Sequence, residues 1–264
     1  MTATVRVAMR TLLACALLAF AGFWLYEITE SPSSQLFGRT LVSGPADRRV
    51  VALTFDDGPN PPYTTAILDV LEREHVHATF FLVGRAVVVY PSTVRREVRD
   101  GDAVGNHTWS HGHMILWSAA RIRASLAKTD DAIYRAAGVH TKIMRPPFGA
   151  RDWLVLDQAR RAGYTPVMWS VPLPNDWEQP SAQTIADRVV PYVSDGAIIV
   201  LHDGNQGIVC AHAHVAPKTC DRHAEIAATR IIIDRLRAEG YRFVTVPELL
   251  ALKGIMHIHA RGSE

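Results

Sequence analysis

Two adjacent carboxylates, Asp56 and Asp57, close the apolar run Val50–Phe55 and are followed directly by Gly58 and Pro59. Like charges at the end of a buried segment repel each other and lose their hydration, so they are tolerable where a cation and an arginine neutralise them. Other polar groups occupy comparable positions: His107 and His111 in H-T-W-S-H, Arg145 at the head of R-P-P-F-G, Asp176-Trp177, and His202-Asp203. Two imidazoles and one carboxylate make an open site for zinc or another divalent ion, leaving positions for water and substrate. The four-residue spacing lets His107 and His111 reach one ion from a helical turn or a tight loop. One aspartate of the pair can then ligate while the other stays free to act as a base. Spacing alone is weak evidence, because 12 histidines in 264 residues give a chance H-x-x-x-H about half a time. The position of each group after an apolar run is what strengthens it.

Those positions are set by the elements between them. Val50–Phe55, His77–Val83, Ala103–Asn106, Lys142–Arg145, Thr165–Trp169, Ala197–Leu201 and Arg242–Val246 read as strands. Between them, Thr64–Glu74, Tyr90–Asp100, Trp117–Ala137, Asp152–Ala162, Gln183–Val193 and Ala224–Glu239 place apolar residues at helical spacing. A βαβα alternation builds a parallel sheet under helical cover, doubly wound or closed into a barrel. In both, chemistry collects beyond the carboxyl ends of the strands, where all five polar clusters fall.

A length of 264 residues that is 48% hydrophobic suits one large core, and no internal repeat or second domain is evident. With 28 basic and 26 acidic residues the net charge is +2, which supplies no strong field for nucleic acid. Arg6 and Arg10 precede an uncharged apolar run from Thr11 to Tyr26, the pattern of an export signal. No small-x-small cleavage site follows Tyr26, which favours a retained anchor over a removed signal peptide; a lipoprotein through Cys15 and a buried helix are the weaker alternatives. Residues 31–47, rich in Ser, Pro and Gly, read as linker, residues 48–252 as the catalytic domain and residues 253–264 as a tail. Cys210 and Cys220 are close enough in sequence for one disulfide in an oxidising compartment, with a metal knuckle including His212 and His214 as the alternative. His75, His113, His257 and His259 are most simply solvated, and Trp109 packs.

T54-F-D-D-G-P59, H107-T-W-S-H111, R145-P-P-F-G149 and L201-H-D203, in this order, together with GYRFVTVPELL near the end, resemble the signature motifs of the polysaccharide deacetylases, the NodB-homology or carbohydrate esterase family 4 enzymes. The likeness spans residues 49–250. It implies a distorted (β/α) barrel, usually of seven strands, in a single domain. It also implies Asp57, His107 and His111 as metal ligands, Asp56 as general base, Arg145 as the group that holds Asp56, and His202 as general acid. The metal expected is zinc, with cobalt or nickel as alternatives. Amide hydrolysis needs these parts independently of the family: an acidified water, a base for its proton, a backbone N–H near Phe148 or the metal for the oxyanion, and an acid for the leaving amine. Phe148, Trp177 and Leu201 are the candidate substrate contacts.

Two positions depart from the family pattern. Phe148 stands where a tyrosine is usual, and the fourth motif, normally D-x-x-D-W, reads L173-P-N-D-W177. Asp176 is therefore expected to orient His202. The reading that results is an exported, membrane-anchored or secreted, monomeric hydrolase that removes N-acetyl groups from peptidoglycan or a chitin-like N-acetylglucosamine polymer. O-deacetylation of xylan, or an inactive carbohydrate-binding scaffold, are its rivals. A glycosidase fits poorly, since neighbouring residues at a strand end do not readily straddle a glycosidic bond.

Overall fold

A computed structural model describes residues 3–210 and 217–254. The chain runs α1 (Ala3–Glu30), β1 (Val50–Asp56), α2 (Tyr63–Arg73), β2 (Thr79–Leu82), α3 (Gly84–Val89), α4 (Pro91–Arg99), β3 (Ala103–Asn106), α5 (Ala119–Ala137), β4 (Ile143–Met144), α6 (Trp153–Arg161), β5 (Thr165–Pro166), α7 (Ala182–Val189), β6 (Ala197–His202), α8 (Pro217–Cys220), α9 (His223–Ala238), β7 (Arg242–Phe243) and α10 (Val246–Leu252). Every strand pairing is parallel, in the order β5-β4-β3-β2-β1-β6, and β7 pairs with the first two residues of β1.

The sheet curls until its ends approach: beyond β5, the Ser170 N–H donates to the Ile198 carbonyl of β6 at 3.1 Å, and the Ile198 N–H donates to Ser170 Oγ at 3.0 Å. The result is the distorted barrel. β1 has all seven residues buried, as expected of a strand covered on both faces. Its alternate residues feed two cores. Val51, Leu53 and Phe55 pack under the helices with Ile67, Phe80 and Ile232, whereas Val50 and Ala52 join Phe81, Ile198 and Val200 inside the curl.

The strands β2, β4, β5 and β7 are shorter than the apolar runs that announced them. Arg242–Val246 was expected as one strand, but Val246 opens α10. Thr245 and Glu248 form a capping box there, each side chain meeting the other residue's backbone N–H, with proline in the first turn. The expected helix Tyr90–Asp100 starts instead at Pro91, and a separate α3 precedes it, because a residue before proline is forced out of helical geometry.

The folded contacts begin upstream of Arg48. Leu41 is buried and extends the sheet beside Val167: its N–H donates to the Pro166 carbonyl at 2.9 Å and its carbonyl accepts from the Met168 N–H at 2.7 Å. Helix α1 outruns the uncharged stretch Thr11–Tyr26, and its apolar span Val7–Ile28 lies unburied. The pairs His212/His214 and His257/His259 lie outside the described residues.

Candidate active site

The carboxyl ends of β1, β3, β4 and β6 surround a cavity of about 210 Å³ lined by Asp56, Asp57, His107, His111, Phe148 and His202 among others. β1 and β6 run in register, so Asp56 pairs with His202, and His107 and Arg145 follow the last paired residues of β3 and β4. Side chains far apart in sequence thus emerge at one level.

His107 Nε2 lies 3.4 Å and His111 Nε2 3.0 Å from Asp57 Oδ1. The three side chains are buried, and their ligand atoms fall within 4.8 Å of one another. Asp57 Oδ1 accepts no hydrogen bond, although an orphaned buried carboxylate oxygen is costly. Its other oxygen accepts the Gln206 N–H at 2.6 Å. His107 Nδ1 is 2.8 Å from the Arg145 carbonyl, which can only accept. That bond puts the proton on Nδ1 and leaves Nε2 as a lone pair facing Asp57. One aimed lone pair, the ring nitrogen of His111 beside it and an unsatisfied carboxylate oxygen are the donor set of a divalent cation, and the residues present fit one.

Protonation agrees. Burial by itself would raise the Asp57 carboxyl, but His111, His107 and His202 outweigh it and hold it well below the usual carboxylate range. Burial pushes His111 down to about 3, keeping it neutral. A ligating carboxylate and imidazole need these states.

Asp56 is held differently. Arg145, fully buried, donates from Nη1 to Asp56 Oδ1 at 2.6 Å and to Thr54 Oγ1 at 2.9 Å, and from Nη2 to the Met168 carbonyl at 3.1 Å. Its guanidinium sits 4.1 Å from the centre of the Phe81 ring. The adjacent carboxylates of the opening motif are therefore divided, one against an arginine and one toward two imidazoles. A left-handed backbone at Asp57 (φ 77°) turns the two apart. His111 (φ 54°) and Phe148 (φ 61°) share that conformation, which costs a non-glycine residue on the order of 1 kcal/mol and gathers at functional sites.

On another side of the cavity, Asp176 is fully buried and grips His202 twice: Oδ2 accepts the His202 N–H at 2.7 Å, and Oδ1 lies 2.8 Å from Nδ1. Burial pushes His202 down, but the charge and hydrogen bond of Asp176, reinforced by Asp57 and Asp56, raise it to about 9. Trp177 stands edge-on to the His202 ring at 5.4 Å and is 41% exposed.

The polysaccharide deacetylase family model matches residues 43–167. A peptidoglycan-N-acetylglucosamine deacetylase of Bacillus cereus is 35% identical over 211 residues, covering 79% of this chain and 92% of its own. The chain belongs to the polysaccharide deacetylase family. A chitooligosaccharide deacetylase of Rhizobium leguminosarum is 35% identical over 203 residues, covering 77% of this chain and 93% of its own. A crystal structure of a peptidoglycan N-acetylglucosamine deacetylase, 34% identical, superposes with a TM-score of 0.71 over 80% of this chain and 92% of that one. Other curated relatives are longer, and this chain spans about two fifths of their length.

Among the expected site residues of this deacetylase, Asp56, Asp57, His107, His111, Phe148, Trp177 and His202 line the cavity, with Arg145 and Asp176 directly behind. Leu201 does not join them. Strand alternation turns it outward into the core beneath the helices, fully buried, and Val200 and His202 face the cavity in its place. His113, expected in solvent, stacks on Phe148 at 4.0 Å with the rings 9° from parallel. Cys210 and Cys220 are joined as a disulfide, so the metal knuckle does not form. That connector brings Asn205 and Gln206 to the cavity wall, while Arg222, also in the wall, directs its guanidinium to the Gly204 and Asp221 carbonyls. Tyr26, Pro146, Gly149, Trp169 and Leu173 complete the lining. Local spacing marks neither Tyr26 nor Trp169, which tertiary approach alone brings there, whereas the connector 205–223, longer than a strand-to-helix turn needs, reads from the sequence as a wall of the groove.

Proposed function

We propose that this chain removes N-acetyl groups from N-acetylglucosamine units of peptidoglycan or a closely related chitin-like polymer, outside the cytoplasm, with zinc at Asp57, His107 and His111. The observation that carries this reading is a single cavity presenting that open donor set between a carboxylate held by an arginine, Asp56 on Arg145, and an imidazole held by a carboxylate, His202 on Asp176.

A divalent cation bound there supplies Lewis-acid chemistry, acidifying water and polarising a carbonyl. Asp56 takes the proton of the attacking water, and the Arg145 bond fixes the direction of its oxygens. His202 gives its proton to the amine nitrogen as the C–N bond breaks. Its raised pKa keeps it charged at neutral pH, as an acid must be for so poor a leaving group. A backbone N–H at Phe148 supports the oxyanion. Trp177, Leu173 and Phe148 present apolar faces to the sugar rings. Asp176 fills the orienting role by itself, so Leu173 in the altered fourth motif is compatible with catalysis. The helix Val7–Ile28 serves as a membrane anchor, and the folded domain acts as a monomer on the outer side.

Acetate release by the full chain from N-acetylglucosamine oligomers, peptidoglycan and acetylated xylan tests this. Turnover of the first two, lost on chelation and restored by zinc or cobalt, is expected. Release from xylan alone, or from none of the three by a folded, metal-loaded sample, would overturn it.

A further inference from the structure

The anchor assigned above is not joined to the catalytic domain by a free tether, and the following inference rests on that anchor reading. Arg151, 1% exposed, donates from Nη2 to the carbonyls of Ser31 at 2.6 Å, Ser34 at 2.6 Å and Pro32 at 3.3 Å. From Nη1 it donates to the Gly149 carbonyl at 2.9 Å. Gly149 adjoins Phe148, and both line the cavity. Further along, Arg160 Nη2 donates to the Arg39 carbonyl at 2.6 Å, and Leu41 is fixed to the sheet. The segment that read as linker is thus held at three points, and Tyr26, near the end of α1, lines the cavity itself.

The span Val7–Ile28 has 22 residues and none of it is buried. At 1.5 Å per residue it is about 33 Å long, enough to cross a hydrocarbon layer of about 30 Å. Arg6 and Arg10 at its start place that end on the cytoplasmic side. Ile28 then emerges at the outer interface, and Tyr26, with the cavity it lines, lies at the same level.

A second observation points to the same surface. Leu116 is 80% exposed, Leu36 68% and Trp153 65%. Leu36 lies in the clamped segment, Trp153 opens α6 just after Arg151, and the turn Met114–Leu116 packs beside α6. Large aliphatic and aromatic side chains left in water at the exit of a membrane helix suit the headgroup layer.

We propose that Arg151 locks the domain onto the end of its own membrane helix so that the cleft opens at the bilayer surface, with Leu36, Leu116 and Trp153 in contact with lipid. The partner of this face is the bilayer, and the glycan engaged there lies next to it.

The test uses the full chain in phosphatidylethanolamine–phosphatidylglycerol vesicles doped with a nickel-chelating lipid. In a Cys15→Ala background, one spin label is placed on the cleft side through Ala120→Cys and another at the opposite end of the strands through Asp47→Cys. Several-fold greater relaxation of the Ala120 label is expected. A flexible Gly-Ser spacer of about twenty residues inserted after Glu30, which spans roughly 25 Å and leaves the Arg151 contacts to Ser34 in place, should make the two labels equal, and Arg151→Ala should narrow the difference. Equal relaxation in a chain that survives a carbonate wash of the vesicles, or a difference that neither variant changes, would overturn the lock alone. A chain that the wash releases would overturn the anchor reading and the lock with it, while the acetate assay stays a separate judge of the chemistry.

Discussion

Asp56 and Asp57 are chemically identical neighbours that the fold gives different work. Asp57→Ala removes the carboxylate on which both imidazoles converge, so the expected result is loss of bound metal, read by elemental analysis, together with loss of acetate release. Asp56→Asn leaves the three ligands in place and should keep the metal while lowering kcat by about 10²–10⁴, the usual worth of a positioned base. It also leaves Arg145 buried without its counter-charge, which costs about 3–5 kcal/mol, so the melting temperature should fall as well. Metal loss in Asp56→Asn would reverse the two roles. His202 makes a prediction of opposite kind. In its proposed role of acid it must be protonated, and its raised value near 9 means that kcat/KM should hold through neutrality and decline as pH rises through that value. Asp176→Asn removes the main charge that raises it, so the alkaline limb should move to lower pH. The same sign governs stability: the pair contributes fully below the unfolded histidine value near 6.5 and loses its contribution as pH climbs through about 9. An alkaline limb that Asp176→Asn does not move would assign it to another group.

At the scale of elements, the site depends on how closely the ends of β1 and β6 approach. A Cβ at Gly204 would stand 2.2 Å from the Asp57 carbonyl oxygen and 2.4 Å from its carbonyl carbon, and one at Gly58 would stand 2.0 Å from Asp203 Oδ2. Backbone cannot yield as a side-chain tip does. Gly204→Ala is therefore expected to push the strand ends apart and weaken metal binding about 10–100-fold, as other disturbances behind a ligand do. Titration with a competing chelator reads it directly, and unchanged affinity would show that the connector after β6 absorbs the shift. Asp203 supports the same junction: its Oδ2 accepts from Thr64 Oγ1 at 2.5 Å at the start of α2, and burial, with the charge of Asp57, raises its carboxyl to about 7. The Cys210–Cys220 disulfide and the bond from Asn205 Nδ2 to the Thr219 carbonyl at 2.5 Å hold the connector that supplies the next part of the wall.

For the molecule as a whole, a divalent ion held at the proposed site would be a folding ligand as well as a reagent. The three side chains come from two separate strand ends, so the unfolded chain offers no comparable site, and binding adds RT ln(1 + [M]/Kd), about 4 kcal/mol at a thousandfold excess over Kd. Chelation should lower the melting temperature by several degrees, and zinc should restore it in a concentration-dependent way. A melting temperature indifferent to chelator, in protein shown by analysis to have lost its metal, would mean that the Arg145 and disulfide contacts alone set the stability of this face.

The sequence determined the chemistry and the order of elements. Asp-Asp, the histidine pair, Arg145, Asp176 and His202 all follow apolar runs, and backbone pairing makes such runs strands whose ends share one level. Local signals also gave most helix limits, because caps and prolines act within a few residues. The bare residue pattern left open which aspartate faces the histidines, a choice only the family resemblance made; it placed Leu201 at the substrate, and it gave no sign that Tyr26 reaches the cavity. It also read residues 31–47 as linker. Those outcomes rest on a left-handed turn at Asp57, on strand alternation and on a buried guanidinium meeting carbonyls more than 115 residues away in sequence. Such contacts form only when distant segments are brought together, and no local pattern encodes them.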